Sequence, residues 1–375
     1  MSIRSRISTA YSAFDYSSTK QSINFAYGLP DPKMFEKLRW PEAISTHTGV
    51  SFSDLLQYTD GSGLPQLREK LAHQHAVARD NVLITNGASQ ALQLIADAVL
   101  DPGDVVLTED PSYLGALRIF SIAGATMVQL GMDKDGVDLG QLEEALRTTG
   151  RVRLFYTAPV FHNPTGRRFS VHRMGQVAAL LARYGVLMVQ DLVYADLPYD
   201  DPPPAIIASG EHVINVYSIS KIAGPGLRVG WVVAEAQMIA QLTRLKCDGG
   251  VSPVASNVAL ALLGTPELKA HIAGLRQHYR HKRDSMHALL QSCTFCEPSY
   301  EVPLGGFSFW VRLAGAVAPA ALLESVRKKY DVHLVEGYRH GPTSRQHVRL
   351  CFSYMPMEKV QSGLRDIEAA YKGLL

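Results

Sequence analysis

Short apolar runs alternate with longer segments of mixed polarity from about residue 82 onwards. Each run is four to eight residues long and apolar on both sides, which is typical of strands buried on both faces. The segments 87–100, 112–124 and 170–184 have the periodicity of helices. This alternation predicts an α/β fold, a three-layer αβα sandwich with a mostly parallel sheet. The strands are predicted at VLIT (82–85), DVVLTE (104–109), ATMVQL (125–130), VRLFYTA (152–158), VLMVQDL (186–192), VINVYSIS (213–220) and VGWVVA (229–234).

The pattern changes after residue 235 and becomes mainly helical. A long amphipathic helix is predicted from about Thr265 to Leu290, and a closing helix from about Met357 to Tyr371. Three more strands, at 305–313, 332–337 and 347–354, predict a smaller α+β domain. We therefore divide the chain into an N-terminal arm that is part of the small domain (1–45), a large domain (46–284) and a C-terminal small domain (285–375).

Composition narrows the class of protein. The chain has 375 residues, is 46% hydrophobic and carries a formal net charge of +2, which argues against nucleic acid as a ligand. No apolar run approaches the roughly 20 residues that cross a membrane. Four cysteines include one C-x-x-C without a second ligand pair, so we expect no metal site, no disulfide framework and a reducing cytoplasm. We interpret Cys293 and Cys296 as strand residues, and HYRHKRD (278–284) as a solvated helix face.

Polar residues stand where the predicted strands end. In an open parallel sheet ligands bind beyond the carboxyl ends of the strands, so these residues are candidates for a site. Singly, each has an ordinary explanation: a helix cap, a turn or a lysine that reaches solvent. The candidates are Ala88 and Ser89 in NGASQ, Tyr113 in EDPSY, Asn163 in HNPTG, Asp191 and Tyr194 in QDLVYADL, and Ser218, Lys221 and Arg228 in SISKIAGPGLR.

Some of these groups suit an aldehyde that carries a phosphate. Lys221 can hold an aldehyde as a Schiff base. The helix that begins at Ala88 and Ser89 offers free backbone N–H groups to a phosphate. The Ser218 hydroxyl and the Arg228 fork complete that set, because nearby glycines let the chain turn tightly between Lys221 and Arg228.

The remaining groups suit a protonated aromatic ring. Asp191 would keep a pyridine nitrogen protonated and the ring an effective electron sink. Asn163 and Tyr194 would donate to a phenolic oxygen, and Tyr113 would stack on the ring face. Pyridoxal 5′-phosphate (PLP) is the common cofactor that needs all of these groups together, so we predict PLP bound through Lys221.

A set of motifs spanning nearly the whole chain carries a family resemblance. They are FAYGLPDPKMF (25–35), QYTDGSGLPQLREKLA (57–72), TNGASQAL, EDPSY, HNPTGRR, QDLVYADL, SISKIAGPGLRVGW, PLGGFSFWVRL and VRLCFSY. Jointly they resemble the fold-type I PLP-dependent aminotransferases of the class I/II superfamily. The chain is most similar to the 2-aminoadipate/kynurenine aminotransferase branch and to the aminotransferase-like half of certain fused transcriptional regulators.

The resemblance implies substrate-binding roles and an assembly. Arg349 in VRLCFS would grip the substrate α-carboxylate, where a planar fork outperforms lysine; a structural ion pair is the alternative. The Gly28 backbone would lie beside that carboxylate, and Asn163 would contact substrate as well as cofactor. Tyr58 would reach the cofactor phosphate of the neighbouring subunit, which implies a homodimer with shared sites. Relatives commonly read AGGLPDP where this chain has Tyr27, which leaves the side-chain preference open.

The implied activity moves the amino group of an L-α-amino acid to a 2-oxo acid by a ping-pong mechanism through Lys221. Other PLP reactions on the same site, by a β-lyase, decarboxylase or oxidase, stay open because they differ only in which Cα bond is broken. A PLP-binding regulatory domain is a further alternative. It would need a winged-helix segment longer than the roughly two dozen residues that precede NFAYGLP.

Overall fold

The computed structural model describes residues 23–26, 28, 31–35, 55, 58–200, 210–315 and 317–375. Its strands are β1 (Ile23–Asn24), β2 (Val82–Thr85), β3 (Val105–Glu109), β4 (Thr126–Leu130), β5 (Met132–Asp133), β6 (Gly136–Val137), β7 (Val152–Thr157), β8 (Leu187–Asp191), β9 (Val213–Ser218), β10 (Gly230–Val233), β11 (Ser308–Arg312), β12 (Val332–His333), β13 (Val335–Glu336) and β14 (His347–Cys351). Its helices are α1 (Pro32–Phe35), α2 (Pro65–His75), α3 (Ala88–Val99), α4 (Leu114–Ile122), α5 (Leu139–Thr148), α6 (Val171–Arg183), α7 (Ala236–Leu245), α8 (Pro253–Leu262), α9 (Pro266–Leu290), α10 (Pro319–Tyr330) and α11 (Met357–Lys372).

Seven strands form the central sheet in the order β2-β10-β9-β8-β7-β3-β4. All are parallel to each other except β10, which runs antiparallel to both of its neighbours. The seven apolar runs of the sequence supply these seven strands, which confirms the predicted α/β fold with a mostly parallel sheet.

Side chains alternate across the sheet and bury both of its faces. On β7, Leu154 and Tyr156 pack into a cluster with α3, α4 and α7, whereas Phe155 packs against α5 and α6 on the opposite face. Further along that second face, Ile84 and Trp231 join a cluster that includes α2 and α8. A strand that is apolar on both faces needs a helical layer on each side, and the structure supplies both.

Local sequence determines where several of these helices begin. The Ser170 hydroxyl accepts from the Arg173 N–H at the start of α6, and Asp138 accepts from the Gln141 N–H at the start of α5. Such side chains satisfy backbone donors that have no partner within the helix.

The second part of the chain contains a three-stranded antiparallel sheet, β11-β14-β13. β1 pairs with β12 in a separate two-stranded parallel sheet, and the Cys351 N–H at the end of β14 donates to the Phe25 oxygen. The N-terminal motif therefore joins this part of the molecule. The proposed boundary between residues 284 and 285 falls inside the continuous helix α9. The division into three segments remains a prediction.

Some local predictions were wrong. Residues 332–337 form two short strands, and each pairs in a different sheet, with β1 and with β14. Cys293 lies outside the strands, while Cys296 makes only an isolated bridge to Leu313. The 278–284 stretch of α9 is not simply a solvated face, since Tyr279, Lys282 and Arg283 are buried.

Among the described residues, no helix combines the length and the apolar character that a membrane span requires. No group of three or more His, Cys, Asp or Glu side chains in the same residues could hold a metal ion.

Candidate active site

The predicted cofactor residues meet at one edge of the central sheet. β2, β3, β7, β8 and β9 all end at this edge because they are parallel, and β10 begins there because it is antiparallel. Gly230, the first residue of β10, pairs with Ser218 at the end of β9 and with Thr85 at the end of β2. The turn between β9 and β10 therefore returns Arg228 to the edge where Lys221 lies.

Lys221 lies in a 3-10 turn, Ile219–Lys221, directly after β9. Its Nζ donates to the backbone oxygen of Gly28 over 3.0 Å. The same atom lies 5.3 Å from the ring centroid of Tyr194 and 5.6 Å from that of Phe307. Burial lowers the pKa of the Lys221 amine to about 8. Far more of it is therefore neutral and nucleophilic at neutral pH than for an exposed lysine.

The start of α3 is open to an anion. Gly87 stands at the N-cap position with φ of 78° and supplies no side-chain cap. Glycine is required here, because a Cβ on Gly87 would lie 2.7 Å from Arg228 Nη2, and one on Gly230 would lie 2.9 Å from the Ala88 nitrogen. The Arg228 guanidinium donates to the Asn86 oxygen over 2.9 Å. An uncapped helix start beside a guanidinium has the chemistry that suits a phosphate.

Two serines lie near this helix start. Ser218 is buried, and its hydroxyl donates to the Val229 oxygen over 3.1 Å. Ser89 is exposed in the first turn of α3. The structure thus brings all four predicted phosphate-binding residues to the same edge of the sheet.

Asp191 ends β8 and is almost completely buried. Its Oδ2 accepts from the Tyr156 hydroxyl over 3.0 Å, and its Oδ1 accepts from the Val193 N–H over 3.3 Å. Burial raises the pKa of the Asp191 carboxyl, while these two donors and Lys221 oppose the rise. A buried carboxylate gains most from a cationic partner, as the predicted pyridinium would be.

Arg349 lies in β14 and contacts two other segments. Its Nη1 donates to Asn163 Oδ1 over 3.0 Å, and its Nη2 donates to the Ala26 oxygen over 2.7 Å. Its Nε is buried without a hydrogen-bond partner among the described residues. A buried donor without an acceptor is costly, and a carboxylate is the ligand that suits a guanidinium.

Aromatic rings enclose the space around Lys221. Tyr194 is buried and meets Phe307 edge-on, with ring centroids 5.2 Å apart. Burial raises the pKa of Tyr194, so its hydroxyl stays protonated and can donate. Tyr113 stands at the N-cap position of α4, and its ring folds back so closely over Gly115 that a side chain there would overlap it.

The predicted tyrosines of the N-terminal half have different outcomes. Tyr58 is 89% exposed. It lies against Gly249, where an added Cβ would come within 2.9 Å of its ring. Its predicted contact with a partner subunit remains a prediction. Tyr27 and the arm residues before Ile23 lie outside the described residues.

Sequence reasoning missed several residues of this site, among them Tyr156 and Phe307. It also missed a buried pair, in which Glu109 Oε2 lies 4.0 Å from His162 Nε2. Burial raises the pKa of Glu109 to about 7 and lowers that of His162 to about 3. A polar group at the end of an apolar strand was the available signal for Tyr156 and Glu109.

An ion cluster holds the segment that carries Gly28. Asp31 Oδ2 accepts from His278 Nε2 and from Lys282 Nζ, each over 3.0 Å. Burial opposes ionisation, but these hydrogen bonds lower the pKa of Asp31 to about 2. Lys282 also donates to two backbone oxygens in the loop after β14, which ties this segment to the strand of Arg349.

Comparison with known proteins identifies the family. The family model for aminotransferase class I and II matches residues 23–367. Aromatic-amino-acid aminotransferase 1 of Thermococcus litoralis is 28% identical over 94% of this chain and 89% of its own. The 2-aminoadipate transaminase of Thermus thermophilus is 30% identical over 94% of this chain and 91% of its own. The HTH-type transcriptional regulator YisV of Bacillus subtilis is 30% identical, but the match covers 66% of that protein.

Solved structures agree with this assignment. LysN, the α-aminoadipate aminotransferase of Thermus thermophilus complexed with N-(5′-phosphopyridoxyl)-L-leucine, has a TM-score of 0.85 at 28% identity, over 95% of this chain and 93% of its own. Pyrococcus horikoshii kynurenine aminotransferase, solved with PMP, has a TM-score of 0.86 at 30% identity, over 95% and 92%. The fold is therefore that of the fold-type I aminotransferases. The chain belongs to the aminotransferase class I and II family.

Proposed function

We propose that this protein is a PLP-dependent aminotransferase that moves the amino group of an L-α-amino acid to a 2-oxo acid by a ping-pong mechanism. One observation carries the proposal. Lys221 Nζ and Arg349 Nη2 donate to the backbone oxygens of Gly28 and Ala26, which are two residues apart. Two residues span at most about 7 Å. The amine and the guanidinium thus bind one short backbone segment, and the Arg349 charge acts on the Lys221 amine. We infer that they serve the Cα and the carboxylate of a single α-amino acid.

The described residues fit PLP by the chemistry of their donors. The uncapped helix start and the guanidinium suit a phosphate, and the buried carboxylate suits a protonated ring nitrogen. When bound, PLP supplies an aldehyde that condenses with amines and a ring that withdraws electrons from the substrate Cα. The residues that would hold it are Ala88, Ser89, Tyr113, Asn163, Asp191, Tyr194, Ser218, Lys221 and Arg228.

Each polar residue of the site then has a separate task. Arg349 would bind the substrate carboxylate with its planar fork, and Asn163 would hold that fork in its plane. Lys221 would take the proton from the substrate Cα and deliver it to C4′ of the cofactor. A pKa of about 8 suits the amine for both the base and the acid role. Asp191 would keep the ring nitrogen protonated throughout.

The substrate side chain is open within this proposal. The names of the relatives include aromatic amino acids, 2-aminoadipate and kynurenine. A donor screen against 2-oxoglutarate and pyruvate should therefore begin with these three classes. We include basic and long aliphatic donors as the comparison set.

The test has a chemical arm and a kinetic arm. Borohydride treatment of the PLP-loaded protein should remove its visible absorbance band and leave the cofactor on the peptide that contains Lys221. A Lys221→Ala protein that still turned over amino donors would overturn the assignment. Double-reciprocal plots should be parallel, because the amino donor leaves as an oxo acid before the acceptor binds. Intersecting plots would favour a lyase or an oxidase on the same site.

The assembly proposed with this function is a homodimer with shared sites. In this chain the proposal rests on Tyr58, whose exposed ring lies beside the loop that contains Gly249. This loop contacts the start of α3, because Asp248 accepts from Asn86 and Gln90. Mixed and refolded Lys221→Ala and Tyr58→Phe proteins should regain activity, since one site of a mixed dimer combines both intact residues. A fully active monomer would refute the shared site.

A further inference from the structure

Two loops from distant parts of the chain meet beside Tyr113. One loop, 110–113, follows β3, and the other, 337–344, precedes β14. His340 in the second loop is completely buried. Its backbone oxygen accepts from the Ser112 N–H over 2.8 Å, and its Nδ1 lies 2.8 Å from the Ser112 oxygen. A carbonyl oxygen can only accept, so His340 Nδ1 carries the proton and donates it.

Further contacts fix His340 and its loop. Thr343 N–H donates to Asp110 Oδ2 over 3.1 Å, and Gln129 Nε2 donates to the His340 oxygen over 2.8 Å. Gly341 packs so closely against Asp110 that an added side chain would overlap the carboxylate. The second loop therefore cannot shift without moving the first.

The ring of His340 also has a fixed place. It meets Trp310 edge-on, with ring centroids 5.3 Å apart, and Trp310 pairs with Arg349 across β11 and β14. Burial and the nearby Arg349 hold the pKa of His340 well below its usual range, so the ring stays a neutral donor.

The two bonds to Ser112 fix the peptide planes on both sides of it. The Ser112 oxygen belongs to the planar unit that also contains the Tyr113 nitrogen. Holding that oxygen sets the direction in which Tyr113 leaves the loop and enters α4. We propose that His340 is a positioning residue, whose Nδ1–H holds the Ser112–Tyr113 peptide so that the Tyr113 ring faces the cofactor. This inference rests on the proposed PLP site.

Three variants isolate the role of the donor. His340→Phe keeps a ring against Trp310 and removes the N–H. His340→Asn keeps an N–H two bonds beyond Cβ, where Nδ1 stands. His347→Phe is the matched control, because His347 stacks on Trp310 at 5.2 Å and makes no hydrogen bond to residues 109–113, all of which are described.

The first readout is the dissociation constant of PLP, from titration of each apoprotein. His340→Phe should raise it about tenfold, whereas His340→Asn and His347→Phe should stay within about twofold of wild type. In a Tyr113→Ala background the His340→Phe change should nearly vanish, because two residues that act together are not additive. An unchanged constant in His340→Phe, or an equal loss in the Tyr113→Ala background or in His347→Phe, would overturn the proposal.

The second readout does not depend on the cofactor. Amide exchange in the peptide that covers 110–118 should be faster in His340→Phe than in wild type and the other two variants. If wild-type protein takes up no PLP, the proposed function fails. The exchange measurement then still tests the positioning role of His340 by itself, because unchanged exchange in His340→Phe would refute that role. If His340→Phe does not fold, His340→Gln replaces it, since it moves the N–H one bond outwards and should raise the exchange rate likewise.

Discussion

The two walls of the candidate site are built differently. The wall proposed to hold the cofactor, called the cofactor wall (Tyr156, Asp191 and Ser218), belongs entirely to three adjacent strands of the central sheet. The wall proposed to bind the amino acid, called the substrate wall (Ala26, Gly28 and Arg349), combines an N-terminal segment with a strand of the smaller sheet. The Asp191 carboxylate is satisfied from β7 and its own turn, whereas Arg349 depends on partners 186 and 323 residues away.

This difference shows which side-chain positions the central sheet fixes and which positions can vary. Neighbouring strands of a buried sheet cannot shift separately, so the position of Asp191 and its contact with Tyr156 follow from the sheet itself. Segments joined only by a few hydrogen bonds can move or vary without loss of the core. We expect changes in the cofactor wall to lower the rate of the chemical step, and changes in the substrate wall to weaken amino-acid binding.

The largest effect should come from Asp191→Asn. The amide keeps the shape of the side chain but cannot hold a proton on the ring nitrogen, so single-turnover rates should fall about 10⁴-fold, as for other buried orienting carboxylates. Tyr156→Phe is the control: it keeps the charge, loses one hydrogen bond and should cost about tenfold. Near-normal activity in Asp191→Asn would show that the electron-sink role belongs elsewhere.

A smaller effect of a different kind should follow Arg349→Lys. The ammonium cannot form the planar two-point contact, so the KM for the amino donor should rise about 100-fold while kcat changes little. The absorbance of bound PLP should be unchanged, because Arg349 belongs to the substrate wall. Loss of PLP uptake in this variant would remove the distinction between the two walls.

The sequence was sufficient for the features that depend on short segments. Apolar runs predicted the seven strands of the sheet because a strand buried on both faces must be apolar throughout. The candidate cofactor residues could be proposed because parallel strands end at one edge, which is where Lys221 and Asp191 lie. Local chemistry and one topological rule were enough for this part.

The rest depends on contacts between distant segments. The Asp31–Lys282 pair spans 251 residues, and the His340–Ser112 contact spans 228. Lys282 stands in a run of charged residues that looks solvated, and only the folded chain shows that Asp31 and two backbone oxygens surround it. Residues 332–337 divide into two strands because each half finds a different partner strand.

The pH dependence of PLP capture tests how far the Lys221 amine is shielded from solvent. Only the neutral amine captures the cofactor aldehyde, and burial lowers its pKa from the usual 10.5 to about 8. The rate of PLP capture by the apoprotein should rise about tenfold between pH 7 and pH 9 and then level off. Stopped-flow absorbance measures this rate. A rise that continues beyond pH 10 would mean that the amine is solvated and the site open.

The smallest effect should come from the ion cluster behind the substrate wall. Asp31→Asn removes the carboxylate that fixes the segment bearing Gly28, so the KM for the amino donor should rise roughly threefold to tenfold. Trypsin should also cleave faster after the exposed Lys33. Asp200→Asn is the matched control, because Asp200 accepts from Arg283 of the same helix over 2.7 Å and lies outside this cluster.

A second variant separates positioning from stability. Asp31→Asn leaves Lys282 buried without its carboxylate, which destabilises the fold as well as freeing the segment. The double variant Asp31→Asn with Lys282→Met removes both charges and should recover most of the thermal stability. The ionic tie to α9 is then gone, and only the weaker contacts of residue 31 to Tyr279 and His278 remain. The KM of the double variant should therefore remain raised, and its cleavage after Lys33 should remain fast. A double variant with wild-type KM would show that the cluster serves stability alone, and that the substrate wall is held by Arg349 and Lys221 themselves.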